Sequence, residues 1–179
     1  MKHPDLLILG YSEAAMFIQQ PDARDVSAII AIAGQREHNI ETQCVERKLI
    51  LNFDDTEVPA PDDLLGQARL AMRQRAVGEY GLRMKPPVRK DVDAIISFAR
   101  EIQLLGGTLL CHCHAGISRS PAVALICLTT WRGLGSEADC VADIRRARPA
   151  AVPHAGLLHL ADEALRRGGA LLRAAALTY

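Results

Sequence analysis

Residues 26–33, VSAIIAIA, form an uncharged run rich in β-branched side chains and closed by Gly34. The run lacks the alternation of a strand with one wet face, so it reads as a strand buried on both sides. Three more segments read as strands: 5–9 (DLLIL, ended by Gly10), 47–53 (RKLILNF) and 108–112 (TLLCH). Between and after them lie stretches of helical periodicity. A short helix over 13–19 could be capped by Ser12 and stopped by Pro21, and another spans about 62–76. The stretch 88–105 repeats apolar residues through Val92, Ile95, Ile96, Ala99, Ile102 and Leu105, and 119–131, 136–148, 154–167 and 170–177 follow. Strands alternating with helices, then a helical C-terminal half, predict an α/β fold. Its expected core is a mostly parallel sheet of about four to five strands flanked by helices.

At 179 residues the chain fits one domain, 1–179, able to bury a core without staples. Net charge is zero, which removes any global electrostatic case for nucleic acid or an anionic membrane. The opening MKHPDLLILGYSE has too short an apolar run for a signal peptide or a membrane span, so a cytoplasmic location is expected. Five cysteines (Cys44, Cys111, Cys113, Cys127, Cys140) show no framework spacing and read as thiols. One region differs in texture: about 62–87 reads as a basic helical insertion. Over 62–90 seven basic residues face three acids. It reads either as a solvated helix face or as a lid attracting an acidic or phosphorylated substrate.

The segment HCHAGISRS, residues 112–120, carries the chemistry. A buried strand delivers Cys113 to a tight turn, and the chain then enters a helix. Such a turn aims successive backbone N–H groups inward, and a helix N-terminus adds partial positive charge, so His114, Ala115, Gly116, Ile117, Ser118 and Arg119 form a cradle for a tetrahedral anion. The same field favours thiolate at Cys113. Gly116 permits backbone angles that a side chain forbids. The planar fork of Arg119 can grip two phosphate oxygens. Thiolate attack on phosphorus gives a phosphocysteine that water hydrolyses, with no cofactor. The run Cys111-His112-Cys113-His114 could suggest a metal, but adjacent strand residues point to opposite faces and no second pair has zinc spacing; the reading is metal-free. Cys127 and Cys140 read as core, Cys44 as a loop or strand-edge thiol, Trp131 as a helix-end core residue, and His3, His38 and His159 as solvated or satisfied locally.

His112-Cys113-x5-Arg119-Ser120 resembles the signature loop of the protein tyrosine phosphatase superfamily, and Ala115-Gly116-x-Ser118-Arg119-Ser120 is most similar to its dual-specificity branch, in a bacterial-type form. Arg148-Pro149 followed by Pro153-His154-x-Gly156 resembles the family's Arg-Pro…Pro-Asn-x-Gly element, with His154 where asparagine is usual. The resemblance implies that Ser120 assists breakdown of the phosphocysteine and that His112 braces the loop. It also implies an aspartic acid that protonates the leaving oxygen and later activates water. Phe53-Asp54-Asp55 looks like the family's acid loop, which selects Asp55, with Asp54 as fallback. Asp55 lies 58 residues before Cys113, against roughly thirty in compact members joined by short connections. The insertion accounts for the excess and offers Asp62 and Asp63 as rivals. The expected partner is a phosphorylated protein or small phosphate ester, with inorganic phosphate or another oxyanion in the site, and neither nucleic acid nor membrane. The rival expectations are a phosphate-binding pseudophosphatase, or the same chemistry on a phosphoinositide, nucleotide or RNA 5′-phosphate.

Overall fold

The computed structural model describes residues 3–40, 45–59 and 62–178. Its centre is a sheet of β1 (Asp5–Gly10), β2 (Val26–Ala33), β3 (Arg47–Asn52) and β4 (Thr108–Cys113). All pairs are parallel, in the order β1-β4-β2-β3. Among the described residues these are the four strands, at the lower end of the expected number. β2 is buried almost throughout, as its unbroken apolar run requires. A parallel sheet of this kind needs cover on both faces. One face packs Ala28, Ile30 and Ile32 of β2, with Leu109, Cys111 and Cys113 of β4, against the helices of the main core. The other packs Ile29, Ala31 and Leu110 against Ala14, Ile40 and Val45.

The helices are α1 (Tyr11–Phe17), α2 (Leu64–Gly78), α3 (Arg89–Ile102), α4 (Arg119–Arg132), α5 (Glu137–Ala147), α6 (Ala155–Ala164) and α7 (Ala170–Ala176), and a 3-10 turn spans Pro21–Asp25. α1 starts two residues earlier than the sequence suggests, and Ser12 does not cap it. The cap is Gly10, whose N–H donates to the Glu13 carboxylate at 2.7 Å. α6 stops at Ala164 rather than 167 because Arg166 adopts φ 55°, turning the chain back. That turn lets buried Arg167 donate to Glu137 Oε1 (2.8 Å) and to the Thr129 carbonyl.

α4 is buried over nearly its whole length and runs beneath the sheet from the end of β4. Pro121 is tolerated there because it lies in the first turn, where no backbone N–H is needed. The helix begins where β4 ends, so the turn between them opens at the carboxyl edge of the sheet, where ligands of open α/β sheets bind. The inserted helix α2 differs in kind: none of its residues is buried, and Leu64, Leu65 and Met72 are exposed. Cys111, Cys127 and Cys140 are buried thiols, and burial pushes all three up in pKa. Trp131 donates from Nε1 to the Ala99 carbonyl at 2.7 Å and stacks on His3. Cys44 lies outside the described residues. Among them, no helix is long and apolar enough to cross a membrane.

Candidate active site

β4 carries Cys113 to the floor of a bend spanning residues 114–118, and α4 starts at Arg119. The carbonyls of this bend point outward. His114 O accepts from Tyr11 N–H (2.9 Å), Ala115 O from Arg148 Nη2 (3.4 Å), Ile117 O from Val152 N–H (2.7 Å) and Ser118 O from His154 N–H (3.2 Å). Within a trans peptide the N–H opposes the C=O. The amides of Ala115, Gly116, Ser118 and Arg119 therefore face the inside of the bend. One already does so visibly, for Gly116 N–H donates to Cys113 Sγ at 3.3 Å. The result is a concave set of donors over a sulfur, the arrangement that binds anions.

The bend closes tightly because of two glycines. Gly116 adopts φ +72°, and a β-carbon there would meet Gly10 N at 2.6 Å and Leu9 C at 2.7 Å. A β-carbon on Gly10 would in turn press on the Ala115 and His114 backbone at 3.1 Å. From outside, Arg148 ties the bend to α1: it pairs with Glu13 at 2.8 Å, and this pairing and the Gly10 N–H lower the Glu13 pKa.

Ser120 Oγ lies 3.2 Å from Cys113 Sγ, on the first turn of α4. His112 is 1 % exposed beneath the bend, and neither ring nitrogen has a hydrogen bond; any support it gives is by packing. Burial lowers its pKa to about 4, so the ring is neutral at physiological pH.

Arg119 is not arranged as the sequence suggests. Its outer fork does not point into the cradle but grips Glu37, Nη1 to Oε2 at 2.7 Å and Nη2 to Oε1 at 2.8 Å. Nη1 also donates to the Phe53 carbonyl at 3.2 Å. The edge left for an anion is Nε, which is buried and makes no hydrogen bond. Burial works against the charge of Arg119, but the Glu37 pairing outweighs it and the pKa is raised. Burial likewise works to raise Glu37, yet the bonds from Arg119 and Gly34 N–H hold it below the ordinary carboxylate value. Sequence reasoning missed Glu37. A buried arginine demands a carboxylate partner, but nothing in the spacing selects this one.

The aspartates separate clearly. Asp55 Oδ1 accepts from Ser118 Oγ–H at 2.7 Å, and its Oδ2 lies 3.8 Å from Arg119 Nε, at the rim of the cradle. Asp54 faces elsewhere: its oxygens accept the N–H groups of Gln35 (3.2 Å) and Lys85 (2.7 Å). Asp63 caps α2 by accepting Gly66 N–H at 2.9 Å, and Asp62 is exposed in the turn before it. Arg69 and Arg73 of α2 line a cavity of about 630 Å³ beside the acid loop, opposite Asp55, Glu57 and Asp63.

Rat dual specificity protein phosphatase 15 is 35 % identical to this chain over 77 residues, 43 % of this chain and 32 % of that protein. The human protein of the same name is 36 % identical over 77 residues, 26 % of its length. The match thus spans a third or less of these curated relatives. A crystal structure of DUSP15 matches 98 % of this chain and 93 % of its own with a TM-score of 0.58 at 22 % identity. A crystal structure of PTPMT1 in complex with PI(5)P matches 98 % and 95 % with a TM-score of 0.57 at 15 % identity. No protein-family profile matches the chain. The four-stranded parallel sheet and its flanking helices match the fold of these structures, with the Cys113-x5-Arg119-Ser120 loop at the carboxyl edge of the sheet. The chain is similar in sequence to dual specificity protein phosphatase 15 over these 77 residues, and its fold is that of the phosphatase structures it matches.

Proposed function

We propose that this protein hydrolyses phosphate monoesters, phosphotyrosine or a wider set of phosphoresidues on proteins, through a phosphocysteine. The observation that carries the reading is the position of Cys113 Sγ under inward-facing amides, with Ser120 Oγ at 3.2 Å and the free edge of Arg119 above. In the first step the thiolate attacks phosphorus and the P–O bond to the leaving group breaks. Asp55, protonated, gives its proton to the departing oxygen. The amides and Arg119 Nε hold the three equatorial oxygens as charge spreads over them. In the second step water attacks the phosphocysteine, Asp55 takes a proton from that water, and the thiolate leaves with inorganic phosphate as product. Ser120 Oγ–H, donating to Sγ, stabilises the sulfur as it regains charge.

The test is Cys113→Ser with a chromogenic aryl phosphate. Loss of turnover with retained binding of inorganic phosphate or vanadate is expected; retained turnover overturns the mechanism. Phosphopeptides carrying phosphotyrosine, phosphoserine or phosphothreonine, run beside a soluble phosphoinositide, then set the substrate class.

A further inference from the structure

Asp55 is positioned by few groups, and one comes from a residue outside the steps just described. His154 precedes α6 and is 2 % exposed. Its Nδ1 accepts the N–H of Leu157 at 3.2 Å, which makes it the cap of the helix. A ring nitrogen that accepts carries no proton, so the neutral imidazole bears its one proton on Nε2. Nε2 is buried and makes no hydrogen bond, and it faces Asp55 Oδ1 at 3.7 Å. A buried donor left without an acceptor is unfavourable. A loop shift of under about 1 Å would bring this pair to hydrogen-bond distance.

A second contact lies two residues on. Glu57 Oε1 accepts the N–H of Ala155 at 3.0 Å. Asp55 and Glu57 of the acid loop thus meet His154 and Ala155, consecutive residues at the start of α6. Beyond them the loop is not packed down: Val58 and Pro59 are separated from Leu160 of α6 by a cavity of about 540 Å³. The Glu57–Ala155 contact ties this part of the loop to α6, and Thr56 between the two acids is buried.

We infer that His154 and Glu57 form a two-point latch that sets Asp55 over the cradle, with His154 a positioning residue acting through Asp55. The inference rests on Asp55 being the acid. It also assigns the acid's proton. Oδ1 receives Ser118 Oγ–H and, with the latch closed, His154 Nε2–H, so the carboxyl proton is left to Oδ2, the oxygen on the Arg119 side of the site.

A poor leaving group depends on the acid far more than a good one does, which gives a readout that simple loss of structure does not share. His154→Ser keeps a helix-capping oxygen but removes the arm to Asp55. Glu57→Ala removes the second contact from an exposed position and leaves His154 untouched, and it decides the matter alone should His154→Ser fail to fold. Each is compared with wild type and Asp55→Asn on two aryl phosphates, one releasing a phenol with the tyrosine-like pKa of about 10 and one releasing nitrophenol. The expected result for both latch variants is a loss of roughly tenfold in kcat/KM, which reports leaving-group departure, on the poor leaving group and under about twofold on the good one. Equal losses on the two substrates, or none, overturn the latch. If Asp55→Asn shows the selective loss while the latch variants do not, the latch alone fails; if Asp55→Asn is itself unselective, the acid assignment fails and the latch with it.

Discussion

Arg119 gives both outer nitrogens to Glu37, at 2.7 and 2.8 Å, from 82 residues away in the chain. The guanidinium is therefore oriented before any anion arrives, with Nε presented to the cradle, and its binding needs less reorganisation. Glu37→Gln keeps the shape and removes the charge, leaving a buried cation without its carboxylate. We expect kcat/KM on an aryl phosphate to fall roughly tenfold or more through misplacement of Arg119. The pH dependence of stability follows from the lowered Glu37 pKa. A group whose folded value lies below its unfolded value contributes stability above the unfolded value, and loses it as pH falls through the folded one. Denaturation of wild type should therefore become easier below about pH 4 in a way that Glu37→Gln does not share. Parallel acid limbs in the two proteins would count against this pairing.

Gly116 is the point at which the cradle can be broken without touching a reacting atom. Its φ of +72° disfavours any side chain, and the space for a β-carbon is taken by the backbone of Leu9 and Gly10 rather than by a side chain that could move. Gly116→Ala should cost about 2 kcal/mol or more of stability and abolish most oxyanion binding. Urea denaturation and vanadate titration measure the two effects. A variant that keeps wild-type affinity for vanadate would show that the bend does not need this geometry.

His112 gives a second pH signature of opposite cause. Its folded pKa of about 4 reflects burial of an imidazole without partners. The unfolded chain takes up that proton near pH 6.5, so stability is full above this value and falls as pH drops towards 4. The total loss over that window is up to about 3 kcal/mol. His112→Leu should flatten the limb between pH 6.5 and 4 while leaving the steeper carboxylate limb below it. An unchanged slope in the variant would mean that His112 is protonated in the folded protein.

What could be read from the sequence is what is local. β2 is apolar but for Ser27 and α4 is apolar from Pro121 to Leu128, so the burial of these stretches follows from composition, and Cys113, Arg119 and Ser120 lie within one contiguous segment. Pairings across the fold leave no such trace. Glu37 and Arg119, Asp55 and His154, and Glu57 and Ala155 join segments far apart in the chain, and many other acids had equal claim by spacing. Asp54 and Asp55 are neighbours that turn to different sides, one towards Lys85 and one towards Ser118, a distinction that composition does not encode. The end of α6 is illegible for the same reason, since the apolar periodicity continues to 167 while Arg167 is drawn back to Glu137.

That last contact yields a prediction about stability alone. Arg167 and Glu137 are both nearly buried, their pairing distance is 2.8 Å, and Glu137 also accepts the Gly135 N–H at 3.0 Å. Arg167 additionally donates to the Thr129 carbonyl near the end of α4, so one side chain joins the turn after α6 to α4 and α5. Replacing the pair with matched apolar residues need not destabilise, because burying two charges is itself unfavourable. Removing one partner is another matter, for it leaves a buried charge uncompensated at a cost of about 3–5 kcal/mol. Arg167→Met should therefore destabilise strongly, and Arg167→Met with Glu137→Leu should recover much of the loss. The site lies away from Cys113, so kcat/KM of the folded fraction should remain close to wild type. A double variant no more stable than the single one would show that the pair holds the turn by its hydrogen bonds to Thr129 and Gly135, not by charge balance.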